Sequence, residues 1–550
     1  MRPNRTKKVE GLRRRPGIAV LACLLWAALA ARPTPLCAIE HDKPGCPPYA
    51  LTGNRIVFTN WFYVRPGQPD YLDKSGASVY AKKMKYDPLE LRYVYNDRPH
   101  GIRIVAEPAR RVGPIFPQDR PWESRGISPD TLMYDDGKYR LWGAAQDTDN
   151  NHYPCYFESE DGLTWRKPSL GLIDFNGNRD NNLITSGGSS VFKDPSAPPA
   201  ERYKSVWHGS CDLQTFEKYR KERAWSTIAT EMDPHKVHAI KAAVSPDGFR
   251  WTELPDPLGF EPTDTQVVGY YDERLAKYVL YTRSYMLGVR APGFDPPPPE
   301  MYQLYSRRAI GRTESKDFRR FAPAEVIAEP GPDMLPTDQI YTNCRTTIPG
   351  APDHHLMFPT IFDLNSDTTS VEFRSSYDGK AWHRVPGGPV LGTATYGQWD
   401  GGCVFACPNL VERSDGSWVL PYAGYANPHK YPHGAGSFGV GLAVWPKGRL
   451  VALAADDEGG FTTVPVIAPG RKLRINAVTE RAGCVMVEAA DLAGKPIAGR
   501  TFDDAVPIVG DRHWAPVTWK HHADLGIEPN TPVVLRFRLK MARIYGLEFE

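Results

Sequence analysis

Ser159–Trp165 reads SEDGLTW, Ser245–Trp251 reads SPDGFRW and Ser376–Trp382 reads SYDGKAW. The three stretches are copies of one pattern, Ser-x-Asp-Gly-x-x-Trp. Asp-Gly is a turn dipeptide, because glycine takes a positive φ cheaply and aspartate bonds to nearby backbone. The tryptophan that follows opens a strand and packs inward. Each copy therefore reads as a hairpin turn with an aromatic anchor. Worn copies stand in the gaps: TESKDFRRF at Thr313–Phe321 and WPKGRLV at Trp445–Val451.

A second repeat runs in phase with the first. An aromatic-rich strand precedes each turn: DDGKYRLWG (Asp135–Gly143), ERYKSVWHG (Glu201–Gly209), LAKYVLYTR (Leu275–Arg283), DHHLMFPTI (Asp353–Ile361) and SDGSWVLPY (Ser414–Tyr422). Five strands and five turns alternate along the chain. Self-similarity at a period of tens of residues is the mark of repeat architecture, and β-rich repeats of this kind predict propeller blades. The expected fold is all-β, a five-bladed β-propeller over 56–465. Its blades run over Pro121–Trp165, on to about Trp251, then about 262–321, 336–384 and 398–455. The second carries an insertion at Leu213–Glu231, where Phe216, Tyr219 and Trp225 have helical spacing. The third carries the Pro296–Pro299 loop. Asn54–Val64, NRIVFTNWFYV, is a strand candidate outside the repeat that helps close the ring.

Beyond about 468 the turn pattern stops. Short apolar runs at Leu473–Ala477, Cys484–Ala489, Val506–Val509, Val517–Trp519 and Val533–Phe537 are separated by turns. They predict a second all-β domain, a C-terminal β-sandwich over 468–550 that supplies no catalytic acid.

Composition bounds the partners. Lys and Arg number 67 against 64 Asp and Glu, so the chain lacks the basic footprint of a nucleic-acid binder. The start is a targeting segment. Arg2–Arg15 is basic, Gly17–Leu29 is apolar, and Ala28-Leu29-Ala30 offers a cleavage site. Residues 1–30 read as a signal peptide, with a twin-arginine variant suggested by Arg13–Arg15, and 31–55 as a linker. No other stretch suits a membrane span, and the mature chain has no Asn-x-Ser/Thr acceptor. The expected location is secreted or periplasmic, in a bacterium. Eight cysteines lie beyond the signal: Cys37, Cys46, Cys155, Cys211, Cys344, Cys403, Cys407 and Cys484. Cys403 and Cys407 have no second ligand pair nearby, so a disulfide or free thiols fit better than metal. No metal and no cofactor is expected.

The chemistry is sought where the inner strands meet. Counting back 14–18 residues from the aromatic strands reaches an acid in four of the five blades: Glu123, Asp264, Asp338 and Asp400. Trp122-Glu123 and Trp399-Asp400 share one local pattern, Thr263-Asp264 and Thr337-Asp338 another. The second blade has no acid at this offset, and Asp194 is the next one there. Asp130 is an alternative acid for the first blade. Carboxylates crowded around an axis repel unless function requires them, and such a group suits glycoside hydrolysis. One carboxyl protonates the leaving oxygen while a second activates water or attacks the sugar. Glu123 is the expected general acid, its pKa raised by Trp122 beside it. Asp264 or Asp338 is base or nucleophile. Asp400, Arg283, Arg345, Trp122 and Trp399 are expected to bind substrate, the arginines by clamping an anionic group. The four acids should line one funnel.

These repeats, the tyrosine-rich strands, the inner-strand acids and the trailing β domain resemble the five-bladed propeller glycoside hydrolases of families 32 and 43 and secreted bacterial relatives. The resemblance spans roughly 55–550 and is architectural, with the acids matched by blade position rather than by local motif. It implies a secreted glycosidase acting on poly- or oligosaccharides. The competing expectations are a non-catalytic carbohydrate-binding propeller, a sialidase-like enzyme and a partner-binding propeller. Sialidase turns have one more residue between Asp and Gly than SxDGxxW has.

Overall fold

The computed structural model of the chain describes residues 47–76, 91–219, 236–286, 306–430 and 436–550. The expected signal peptide, the linker up to residue 46, Cys37, Cys46, the Pro296–Pro299 loop and the insertion from residue 220, with Trp225, lie outside the described residues. The fold is all-β. Among the described residues one short α-helix occurs, Leu213–Glu217, at the start of the expected helical insertion.

Five antiparallel meanders follow one another. The first is Gly126–Asp135, Lys138–Gln146 and His152–Ser159, with Glu158 bridged to Arg166. The second is Val191–Lys193, Tyr203–Asp212, Lys236–Ser245 and Thr252–Glu253. The third is Val268–Asp272, Lys277–Tyr285, Arg308–Ser315 and Glu325–Ala328. In the fourth each strand is broken midway. Asp338–Ile340, Thr360–Asp363, Thr368–Val371 and Leu391–Gly392 form one half, and Arg345–Ile348, Ala351–Met357, Arg374–Ser376 and His383–Arg384 the other. The fifth is Cys403–Ala406 with Val411–Glu412, then Trp418–Tyr425 and Phe438–Trp445. Its outer strand comes from the other end of the chain: Arg110–Val112 pairs antiparallel with Phe438–Trp445. Each of the five aromatic stretches is the second strand of its meander.

The SxDGxxW turns sit at one corner, after the third strand of the first, second and fourth meanders. In each, the serine hydroxyl oxygen accepts the glycine N–H, at 2.8–2.9 Å. The aspartate Oδ1 accepts the next two N–H groups, at 2.7–2.9 Å. The glycines have φ of +70°, +84° and +71°, which a side chain would strain. The worn copy keeps the same logic: Ser315 accepts from Asp317 N–H, and Asp317 from Arg319 N–H. The turn also docks on the preceding meander. Trp142 Nε1 donates to Gly248 O at 2.8 Å, and Tyr281 hydroxyl to Gly379 O at 2.7 Å.

Apolar packing follows the same order. Trp142 and Tyr156 pack with Tyr203 and Trp251 between the first and second meanders. Phe192 and Val206 meet Phe318 and Phe321 between the second and third. Tyr281 meets Met357 and Trp382, and Phe358 meets Trp418 and Trp445. Leu141 and Phe157 of the first meander pack on Val419 and Leu442 of the fifth. The first strands are stitched likewise. Thr131 Oγ1 accepts Val191 N–H, Ser190 Oγ accepts Gly269 N–H, and Gln266 Oε1 accepts Cys344 N–H. Thr346 Oγ1 accepts Leu410 N–H, and Leu132 N–H donates to Pro408 O.

The C-terminal strands Val451–Thr462, Val466–Ala468, Leu473–Ala490, Asp511–Pro516 and Thr531–Phe549 join one eight-stranded sheet with Tyr49–Ala50, Arg55–Ile56 and Arg103–Ala106. Bulges bend its long strands around a core that includes Ile475, Val487, Leu535 and Leu547. Three sequence expectations change here. The sheet starts at Val451, ahead of 468. Asn54–Val64 gives a strand only at Arg55–Ile56, paired with the last strand, because Trp61–Tyr63 is a 3-10 turn capped by Asn60. Ile508 and Trp519 make isolated bridges, and the strand lies between them at Asp511–Pro516.

Asp378→Ala removes a charged acceptor from two backbone N–H groups. It should cost about 1.5–3 kcal/mol of stability, seen as a lower denaturant midpoint at unchanged slope.

Candidate active site

The first strand, Gly126–Asp135, carries Pro129, which cannot donate to a ladder. The register against Lys138–Gln146 slips there: Pro129 pairs with Gly143 and Thr131 with Trp142, leaving Asp130 as the extra residue. A bulge re-aims the side chain it frees. Asp130 lines a cavity of about 720 Å³ that takes residues from or beside the first strands of all five meanders. Trp207 and His208 come from the second, Asp264 leads into the third, and Tyr341 and Phe405 come from the fourth and fifth. Every lining residue precedes the C-terminal sheet.

The two acids of this cavity live in opposite environments. Burial pushes the Asp130 carboxyl up to about 7, only partly opposed by a hydrogen bond from Ser189. Asp264 is also pushed up by burial, but the charge of Arg283, followed by Arg308, His208 and His238, outweighs that and holds it below the usual range. Arg283 is 3% exposed. It ion-pairs with Asp264 and donates to Tyr341 O at 3.0 Å. Its guanidinium lies 4.4 Å from the centre of the Tyr341 ring, and the Tyr341 hydroxyl meets His429 Nε2 at 2.9 Å. At neutral pH one carboxyl can hold a proton while the other is ionised. This is the division of labour that acid-assisted bond cleavage needs.

Of the four acids expected to converge, Asp264 lines this cavity and the other three do not. Glu123 ends a 3-10 turn, Pro121–Glu123, and is fully buried. Its Oε2 accepts from Lys167 Nζ at 2.6 Å, and Lys167 also reaches Asp119 and Pro117 O. Burial raises its pKa, with Lys167 pulling the other way. Trp122 packs edge-on against Phe175 in the core. Asp338 turns back to accept from Leu335 N–H at 2.8 Å. Asp400 is buried between Arg111, at 2.8 Å, and the Tyr422 hydroxyl, at 2.9 Å, with Trp399 stacked on Tyr422. Arg345 lies over the Tyr270 ring and bonds to His355, away from the large cavity. Asp194 is taken up by Lys204 and Tyr278.

Trp207, Tyr341 and Phe405 line the cavity without having been singled out by sequence. Pro129 inside an apolar strand was the available sign that Asp130 is displaced. The six described cysteines are free thiols. Cys403 and Cys407 line the cavity, and burial pushes Cys403 up to about 12 and raises Cys407, so both stay protonated and unreactive. Among the described residues no cluster of three or more His, Cys, Asp or Glu could hold a metal ion, and no helix is long and apolar enough to cross a membrane.

No family model matches the chain, and no curated protein matches it. Solved structures do. One is the Bombyx mori GH32 beta-fructofuranosidase BmSUC1, at 12% identity over 79% of this chain and 95% of that one, with a TM-score of 0.35. A second is the alpha-L-arabinofuranosidase PaAbf62A from Podospora anserina in complex with cellotriose, at 11% identity over 62% and 98%, with a TM-score of 0.36. A third is an N-acetylgalactosamine deacetylase from F. plautii in complex with blood group B trisaccharide, at 11% identity over 70% and 96%, with a TM-score of 0.34. Glycoside hydrolases are thus among the solved structures that this chain resembles.

Proposed function

We propose that the chain is a secreted glycoside hydrolase whose five meanders are the blades of a closed five-bladed β-propeller, with its active site in the axial cavity. The ring is supported by the stitching of each first strand to the next, from the first meander round to the fifth and back. Arg110–Val112 is then the strand that closes it, and the C-terminal sheet a β-sandwich carried beside it. The substrate is a poly- or oligosaccharide. Trp207 and Phe405 offer apolar ring faces, and Gln146, Asn150 and Asn427 offer amides for hydroxyl groups.

The observation that carries the reading is Asp130 and Asp264 in one cavity with their proton affinities driven apart. Asp130 is the general acid: it gives its proton to the glycosidic oxygen as the C–O bond breaks. Asp264 faces the anomeric carbon. A carboxylate kept ionised by Arg283 is a weak base, so its role is to attack or stabilise the cationic centre rather than to abstract a proton. Arg283 positions it, and Tyr341 buttresses Arg283. Glu123, Asp338 and Asp400 are structural in this scheme. The non-catalytic carbohydrate-binding reading draws on the same ion pair, since a carboxylate locked to Arg283 can also simply hold sugar hydroxyls.

Turnover of an oligosaccharide panel separates the two. Asp130→Asn should lower kcat by about 10²–10⁴-fold, the range for a lost general acid, and should leave sugar binding by calorimetry intact. Asp264→Asn should abolish turnover as well, whereas Asp338→Asn should keep near wild-type kcat. Wild-type protein that binds sugars but turns none over would establish the binding module instead.

The raised pKa of Asp130 also predicts a pH effect on stability. A carboxyl whose folded pKa lies above its unfolded value favours folding fully only below the unfolded pKa, near 4. That contribution is lost as pH rises to about 7. Asp130→Asn removes the loss. The melting temperature of the variant minus that of the wild type should therefore climb between about pH 4 and pH 7 and level off above.

A further inference from the structure

A second, smaller cavity of about 80 Å³ shares Ser190 and Pro408 with the large one. It too is lined from all five meanders, by Thr131, Ser190, Gly269, Tyr270, Arg345 and Asn409 among others. Its chemistry is one-sided. Arg345 is 6% exposed and forms no ion pair among the described residues. Its Nη2 donates to His355 Nδ1 at 2.8 Å, and its buried Nε has no partner. Its guanidinium stacks 3.3 Å from the centre of the Tyr270 ring. His355 cannot serve as a counter-charge. Burial, followed by the charges of Arg345 and Arg312, holds it neutral. Arg312 is itself matched by Glu314. Asp272 and Glu273 line a separate cavity of about 570 Å³ that Arg345 also borders, and neither pairs with it.

The hydroxyls add to the excess of donors. Thr131 Oγ1 and Ser190 Oγ spend their oxygens accepting Val191 and Gly269 N–H groups. A hydroxyl used as acceptor still has its own O–H to give. Asn409 spends its Nδ2 on Leu132 O. A buried cation without a counter-ion is costly, and a ring face compensates only part of it. We infer that this cavity is a binding site for one small monovalent anion of chloride size, held by Arg345 and capped by the hydroxyls of Thr131 and Ser190. About 80 Å³ takes a halide with roughly two waters. Gluconate, a six-carbon carboxylate, is too large for it. The anion neutralises Arg345 at the point where all five first strands approach one another, so it acts as a structural pin.

The experiment uses the full-length protein in sodium gluconate, replaced stepwise by sodium chloride or bromide at constant ionic strength. The melting temperature should rise by about 2 °C or more and saturate, as expected when a ligand binds only the folded state. Arg345→Gln should melt without responding to halide. Crystals grown in bromide should show an anomalous peak beside Arg345, which decides the matter even if the variant fails to fold. An equal halide response in wild type and variant, or a cavity without anomalous density, overturns the site. Turnover is not read, so the outcome is independent of the catalytic assignment.

Discussion

An antiparallel meander has two free edges, and the inner one is the harder to satisfy. Its N–H groups face neither water nor a neighbouring ladder. Here each first-strand edge borrows an acceptor from the preceding meander: Thr131 for Val191, Ser190 for Gly269, Gln266 for Cys344, Thr346 for Leu410 and Pro408 for Leu132. Continuous sheet at these junctions would leave no opening between first strands. Isolated bridges, four of them to side chains and one to the Pro408 carbonyl, hold the strands together while leaving room above them, and the large cavity occupies that room. Small hydroxyl and amide residues are therefore needed where a purely apolar contact would leave buried N–H groups unpaired, at a cost of about 1–3 kcal/mol each.

The turns were legible because their chemistry is local. Serine, aspartate and glycine act within seven residues, so Ser159–Trp165, Ser245–Trp251 and Ser376–Trp382 fold alike wherever they occur. The aromatic second strands were legible for the same reason. The acids were not. Counting back from those strands does reach the entrance to four of the five first strands, where Glu123, Asp264, Asp338 and Asp400 stand. Which way each points is decided by partners remote in sequence. Lys167 claims Glu123, and Arg111 reaches Asp400 across 289 residues. Asp338 is claimed by its own turn. Asp130 is the alternative first-blade acid in the sequence, and the slip in register explains why it faces the cavity. The full membership of the C-terminal sheet is not legible, because three of its strands come from the beginning of the chain and spacing along a sequence carries no sign of that.

The cavity also separates two uses of buried charge. Glu123 with Lys167, and Asp400 with Arg111 and Tyr422, are ion pairs held within packed protein, Glu123 through Oε2 alone. They fix local geometry and have no free face for a ligand. Asp264 is different: its partner Arg283 is buried, while the carboxylate side chain remains more than half exposed to the cavity. Asp130 has no cation among its named partners, and burial outweighs the hydrogen bond from Ser189. The same residue type thus acquires two roles from what stands beside it.

The strand Arg110–Val112 ends the fifth meander, and Arg55–Ile56 and Arg103–Ala106 pair with strands that lie more than 300 residues further on. Contacts of such sequence separation form late. During synthesis at about 5–20 residues per second, Arg55–Ile56, Arg103–Ala106 and Arg110–Val112 wait roughly 15–100 s for their partner strands to emerge. For that interval Arg55–Ile56, Arg103–Ala106 and Arg110–Val112 lack their partners and are open to association with other chains. For these three edges the exposed period is set by how soon their remote partners arrive rather than by the stability of the finished fold.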